Sequence, residues 1–114
     1  MISDITQSET YDKISQEFRR GILILAALSQ LKEPKYGYAL ISQLAENGLE
    51  IDQGTLYPLL RRLELQGLLD SSWNTEGSRP RRYYAINPTG EAVLQALVQD
   101  WRALVSVMEN LLVD

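Results

Sequence analysis

The chain contains no cysteine and no histidine among its 114 residues. The first absence excludes disulfides and thiolate chemistry and leaves the redox compartment unread. The second removes the commonest general base and a frequent metal ligand. A glycine-rich phosphate loop is lacking too, as are carboxylates clustered at metal-ligand spacing, so the expectation is a protein without enzymatic activity, metal or cofactor. No apolar run approaches the ~20 residues that span a bilayer. The start MISDITQSET has no basic and apolar signal pattern. These absences point to a cytoplasmic chain with no membrane partner.

Positive charge is also scarce, with 11 basic against 15 acidic side chains and a net charge of −4. Its distribution matters more than its total, because screening confines each charge to a Debye length of ~8 to 10 Å. Residues 1–52 hold five basic and eight acidic side chains, residues 53–84 hold five and three, and residues 85–114 hold one and four. Only the middle stretch is positive. The length fits one domain with a modest core.

That positive stretch begins with DQGTLYPLLRRLELQGLL, Asp52 to Leu69. Leu56, Leu59, Leu60 and Leu63 fall on one stripe of a helix. The opposite face presents Gln53, Tyr57 and Arg61 in one row and Thr55, Pro58 and Arg62 beside it. Hydrogen-bonding, aromatic and cationic groups gathered on a short helix make a candidate reading head for nucleic acid. Asp52 is a suitable N-cap and Gly67 a left-handed stop. Pro58 lies beyond the first turn and deletes a backbone hydrogen bond, which predicts a bend or an irregular first turn.

Residues 1–12 are polar and unpatterned, and a flexible arm is expected there, gaining helix near Tyr11. From Ile14 to Leu31 the set Ile14, Phe18, Ile22, Leu25, Leu28 and Leu31 predicts a nearly buried helix at the centre of the core. Gly21 inside it suggests a close packing contact. After a break at Pro34, a second helix is expected from Tyr36 to Glu46, closing at Asn47 and Gly48. With the reading helix it forms a helix-turn-helix, although helical periodicity alone fits any small bundle.

Beyond Gly67 the pattern becomes extended. Leu69, Ser71 and Trp73 alternate with polar residues, NTEGSRP is rich in turn formers, and RRYYAI is aromatic and branched. This predicts a β-hairpin carrying Arg79, Arg81 and Arg82, a basic wing beside the reading helix. Tyr83 and Tyr84 must point to opposite faces of their strand. Asn87 and Pro88 then supply an N-cap and a favoured first position for a last helix reaching Val113. Leu94, Leu97, Trp101, Leu104, Met108 and Leu111 repeat along it in alternating steps of three and four. A small core cannot cover that length, so the repeat predicts a homodimer through this helix. The expected organisation is an arm (1–12), a winged helix-turn-helix (13–86) and a C-terminal dimerisation helix (87–114), mainly α with a small β-hairpin.

YGYALI (Tyr36 to Ile41), GTLYPLLRRLE (Gly54 to Glu64), GLL (Gly67 to Leu69), Trp73, and RRYY (Arg81 to Tyr84) followed by Gly90 resemble the PadR family of transcriptional regulators. The resemblance covers Gln16 to Leu112, with GTLYPLLRRLE as its distinctive block, and is closest to the compact subgroup with a single C-terminal helix. It implies a winged helix-turn-helix that binds operator double-stranded DNA and usually represses. Asn87 replaces the threonine common at that cap, with the same physical role, and the acidic arm lies outside the shared pattern. In some compact members an aromatic residue on the last helix lines a pocket at the dimer interface that takes flat apolar effectors, and Trp101 stands where that residue would be. The chain also resembles a clock-associated compact member of the family, and no residue here separates that resemblance from the one to other short members.

Each assignment has a plainer reading. Tyr57, Arg61 and Arg62 would also suit a solvated helix face, and Arg79, Arg81 and Arg82 an ordinary loop, but three arginines within four positions beside a reading helix favour DNA. Arg61 suits a guanine edge or a phosphate, and Gln53 and Thr55 lie near a helix N-terminus that favours phosphate. For Tyr36 and Tyr38 core and hinge packing is the first reading, with one hydroxyl reaching phosphate as the second. For Trp101 the dimer core is the plainer reading and an effector pocket the sharper one. The rival from another class is a winged-helix adaptor whose basic front binds an acidic protein.

Overall fold

A computed structural model describes residues 4–113. A 3-10 turn at Ile5–Gln7 leads through Ser8 into α1, Glu9–Ser29. Then follow β1 (Lys35–Tyr36), α2 (Gly37–Glu46), α3 (Gln53–Leu65), β2 (Leu69–Asn74), β3 (Arg81–Ile86) and α4 (Pro88–Leu111). The strands form one antiparallel sheet in the order β1-β3-β2, in which Lys35 faces Tyr84, Ser71 faces Tyr84 from the other side, and Trp73 faces Arg82.

The capping signals operate as their chemistry requires. Asp52 Oδ1 accepts from the Thr55 N–H at 2.8 Å and Asn87 Oδ1 from the Gly90 N–H at 2.8 Å. Gly67, at φ +81°, ends α3, with the Leu68 N–H donating back to the Leu63 carbonyl at 3.0 Å. The core joins Leu23, Ala27, Leu28 and Leu31 to Leu40 and Leu44 of α2, to Leu56, Leu59, Leu60 and Leu63 of α3, and to Leu69, Tyr84 and Leu94.

Several expectations need correction. The first helix begins at Glu9, because the Ser8 hydroxyl accepts from the Tyr11 N–H, so most of the expected arm is turn or helix; residues 1–3 lie outside the described residues. Only its second half is buried. Ile14 and Phe18 are 60% and 76% exposed, and a Cβ at Gly21 would meet nothing within 4 Å outside its own helix, because the sheet and the helix-turn-helix pack on the C-terminal turns alone. The hairpin gains a third strand, β1, which is two residues long and too short to carry a periodicity of its own. Pro58 does not break α3, which runs continuously from Gln53 to Leu65. Its missing N–H would have met the Gly54 carbonyl one turn back, and both residues are exposed to solvent.

On α4, Leu94 is 3% exposed within the chain's own core, which removes it from the set expected at a dimer interface, and Leu97 packs against that core as well. The first turn sits tightly, since a Cβ at Gly90 would overlap the Leu68 carbonyl oxygen. Beyond that anchorage Trp101, Leu104, Met108 and Leu111 are exposed. Among the described residues no helix is long and apolar enough to cross a membrane.

Candidate nucleic-acid interface

The site is a cleft of about 700 Å³ between the start of α2, the outer face of α3 and the β2–β3 wing. From α3 come Gln53, Tyr57 and Arg61, spaced one turn apart on a single row, which is why the same helix can bury Leu56, Leu60 and Leu63 behind them. The wing contributes Arg79, Arg81 and Arg82, together with Pro80 and Trp73. Thr55, Pro58 and Arg62 are exposed on the neighbouring row and do not line the cleft.

Three lining residues go beyond the packing or signature role that their sequence context suggests. Tyr36 and Tyr38 flank the cleft from the entry to α2, and Trp73, 62% exposed, does so from β2. Gly37 matters through its size. The Tyr57 ring rests where a Cβ at Gly37 would be, so the glycine lets the reading helix close onto α2. The signal for this lay in the sequence as Tyr-Gly-Tyr, but nothing in that triplet says which ring the glycine accommodates.

The arginines are held in different ways. Arg81 lies 4.5 Å from the centroid of the Tyr36 ring, and Tyr36 is braced by Tyr83 with centroids 5.5 Å apart. Arg82 is engaged by protein. Its Nη2 donates to Glu64 Oε1 at 2.9 Å and its Nε to Ser71 Oγ at 3.1 Å, while Ser71 Oγ donates to Glu64 Oε2. Its guanidinium also lies over Trp73 and Tyr84, at 5.8 and 5.6 Å. Among the described residues Arg61, Arg62, Arg79 and Arg81 have no carboxylate partner. Tyr84 is the core member of the tyrosine pair, and its burial pushes the phenol above its ordinary pKa, with the Arg82 charge pulling the other way.

Unpaired guanidinium groups, hydrogen-bonding side chains and exposed aromatic rings around a helix flanked by a basic hairpin suit docking against a polyanionic duplex. Among the described residues there is no cluster of His, Cys, Asp or Glu able to hold a metal ion. The fold and the cleft define a winged helix-turn-helix of the DNA-binding class. The chain matches the Transcriptional regulator PadR-like family over residues 24–96 and belongs to it. It is 37% identical over 98 residues to the transcriptional regulator Rv3488 of Mycobacterium tuberculosis, covering 85% of this chain and 89% of that one. The crystal structure of a PadR family transcriptional regulator from Eggerthella lenta superposes with a TM-score of 0.82 at 47% identity, covering 92% of this chain and 97% of the other. A PadR family regulator from Clostridium difficile gives 0.71 at 31% identity, covering 79% and 97%. The chain is therefore a DNA-binding transcriptional regulator and not an enzyme.

Proposed function

We propose that the chain is a repressor that binds a pseudo-palindromic operator as a homodimer. The observation that carries this reading is the one cleft lined both by Gln53, Tyr57 and Arg61 of α3 and by Arg79 and Arg81 of the wing. A reading helix of this kind enters the major groove, with Arg61 at a base edge or phosphate and the wing arginines along the backbone. Thr55, Pro58 and Arg62 border the same surface. Repression is the usual outcome in the family to which this chain belongs.

The dimer is supported by the unpartnered face of α4. Trp101, Leu104, Met108 and Leu111 form an apolar strip larger than single surface residues would leave, and the exposed Tyr11, Ile14 and Phe18 of α1 extend the apolar surface. Pairing of two copies would present two reading helices, with half-sites about 34 to 36 Å or a multiple of that apart. Trp101 at such a junction would also line a site for a flat apolar effector. We place the regulator in the cytoplasm, with the DNA it controls.

The test is footprinting on genomic DNA followed by binding titrations. Arg61→Ala should relax or abolish sequence preference. Arg81→Ala should weaken all duplexes alike and lower the log–log salt slope by about 0.9 for each phosphate that is no longer neutralised. Equal effects of the two changes on both measures would refute that division of labour. A wild-type chain with no preference for any genomic segment over random duplex would favour the adaptor reading, in which the basic front holds an acidic protein.

A further inference from the structure

We infer that Arg82 is a positioning residue rather than a phosphate ligand: with Glu64 and Ser71 it fastens the wing to the reading helix and so sets the span between Arg61 and the wing arginines. This rests on the DNA-binding reading of the cleft.

The three side chains come from three elements, Glu64 from α3, Ser71 from β2 and Arg82 from β3, and they close a ring. Both carboxylate oxygens of Glu64 accept, one from Arg82 Nη2 and one from the Ser71 hydroxyl, and the Ser71 oxygen accepts in turn from Arg82 Nε. Glu64 and Ser71 are only partly exposed, and Arg82 reaches the pair from the loop end of the β2–β3 ladder, opposite Trp73, with side-chain exposures of 36% for Arg82 and 26% for Glu64. A planar guanidinium with two fixed donors fits this ring, whereas an ammonium of one point charge does not.

Strand alternation explains why Arg82 is turned inward while its neighbour is not. The cross-strand pairs Ser71 with Tyr84 and Trp73 with Arg82 put these four side chains on the sheet face that looks toward α3, where Tyr84 is buried. Arg81 lies on the opposite face, over Tyr36. Adjacent arginines in one strand thus have separate tasks: Arg81 is presented, and Arg82 is committed. Apart from this ring, the wing is held by the α3–β2 turn, by the pairing of β3 with β1 and by the burial of Leu69 and Tyr84, all of them toward the core end of the hairpin. With the ring in place, the distance from Arg61 to Arg79 and Arg81 is held, and a duplex of the wrong geometry cannot satisfy both.

The experiment uses the full chain and the variants Arg82→Gln, Arg82→Lys and Ser71→Ala. Binding is measured over a salt series to the duplex that the wild type selects from a random pool, and to a scrambled duplex of equal length. Arg82→Gln and Arg82→Lys are both expected to lower the ratio of the two affinities by roughly tenfold, the worth of a charge-assisted hydrogen bond. The salt slope on scrambled duplex should stay at the wild-type value. Ser71→Ala, which removes no charge, should move the ratio in the same direction by less, and it carries the test if the Arg82 variants fail to fold. Arg82→Lys decides the matter, because a phosphate contact tolerates lysine and this ring does not. A slope that falls by about 0.9 per protomer in Arg82→Gln and returns in Arg82→Lys would overturn the inference and make Arg82 a phosphate ligand.

A second arm needs no DNA. Amide hydrogen exchange in β2 and β3 should quicken in Arg82→Gln while α4 keeps its wild-type protection. Unchanged protection in the wing would overturn the inference. A wild-type chain that binds no duplex at all would sink the DNA-binding reading instead, and the exchange measurement would still decide whether the ring holds the wing.

Discussion

Leu94 and Leu111 belong to one apolar repeat on one helix, yet Leu94 is 3% exposed and Leu111 70%. The difference lies in what stands opposite. Leu94 follows the tight seat of Gly90 on the Leu68 carbonyl and meets the inner half of α1, whereas the helix has run past the core by Trp101. The same contrast divides α1, whose inner residues Ala27 and Leu28 are fully buried and whose outer residues Ile14 and Phe18 face solvent. Apolar periodicity therefore announces that a face will be covered, without saying whether by the chain itself or by a second copy.

The largest effect that would sharpen this comparison is Leu94→Ala. Loss of a fully buried leucine side chain should cost about 2 to 5 kcal/mol in denaturant unfolding. A loss below ~1 kcal/mol would show that the first half of α4 is not anchored as the packing implies. Leu104→Glu should leave the protomer folded while placing a charge in the proposed interface. Light scattering should then read half the wild-type mass at micromolar concentration, and the rise of Tm with protein concentration should vanish. A wild type that is already monomeric there would break the comparison outright, because the outer half of α4 would then stay uncovered.

Smaller changes separate local from tertiary causes. Asn87→Ala removes the side chain that caps α4 and also donates to the Gly67 carbonyl at 3.0 Å, so a cost of about 1 kcal/mol is expected by thermal melting. Gly21→Ala should do the least. With open space around Gly21 the added methyl improves helix propensity, for a gain of up to ~1 kcal/mol. A loss of stability or of dimer mass there would mean that the outer half of α1 is closely covered by the second copy.

How much is legible in the sequence follows the range of each interaction. The caps at Asp52 and Asn87 and the stop at Gly67 depend on residues within a few positions, and each is visible as a residue type at the right place. The row Gln53, Tyr57 and Arg61 is visible for the same reason, since helical geometry alone puts those side chains together. The partner of Arg82 is not, because Glu64 and Ser71 stand 18 and 11 residues away and only the docking of the hairpin on α3 brings them to it. A sequence shows three wing arginines as equals; the sheet sends one inward. Gly37 is similar, a small residue whose purpose appears only when the Tyr57 ring lies against it.

By itself, then, the sequence determined where α3 starts and stops and where α4 starts, that a basic hairpin follows the reading helix, and that the cationic surplus falls in residues 53–84. These are outcomes of local dihedral preference, capping and side-chain period, which operate over a few residues whatever the remainder of the chain does. Tertiary structure alone decided that two residues at Lys35–Tyr36 join the sheet, that the repeat on α4 divides after its first turns, and that Arg82 is committed to Glu64. Each of those depends on surfaces distant in sequence meeting at a particular register and angle, and no local pattern carries that information.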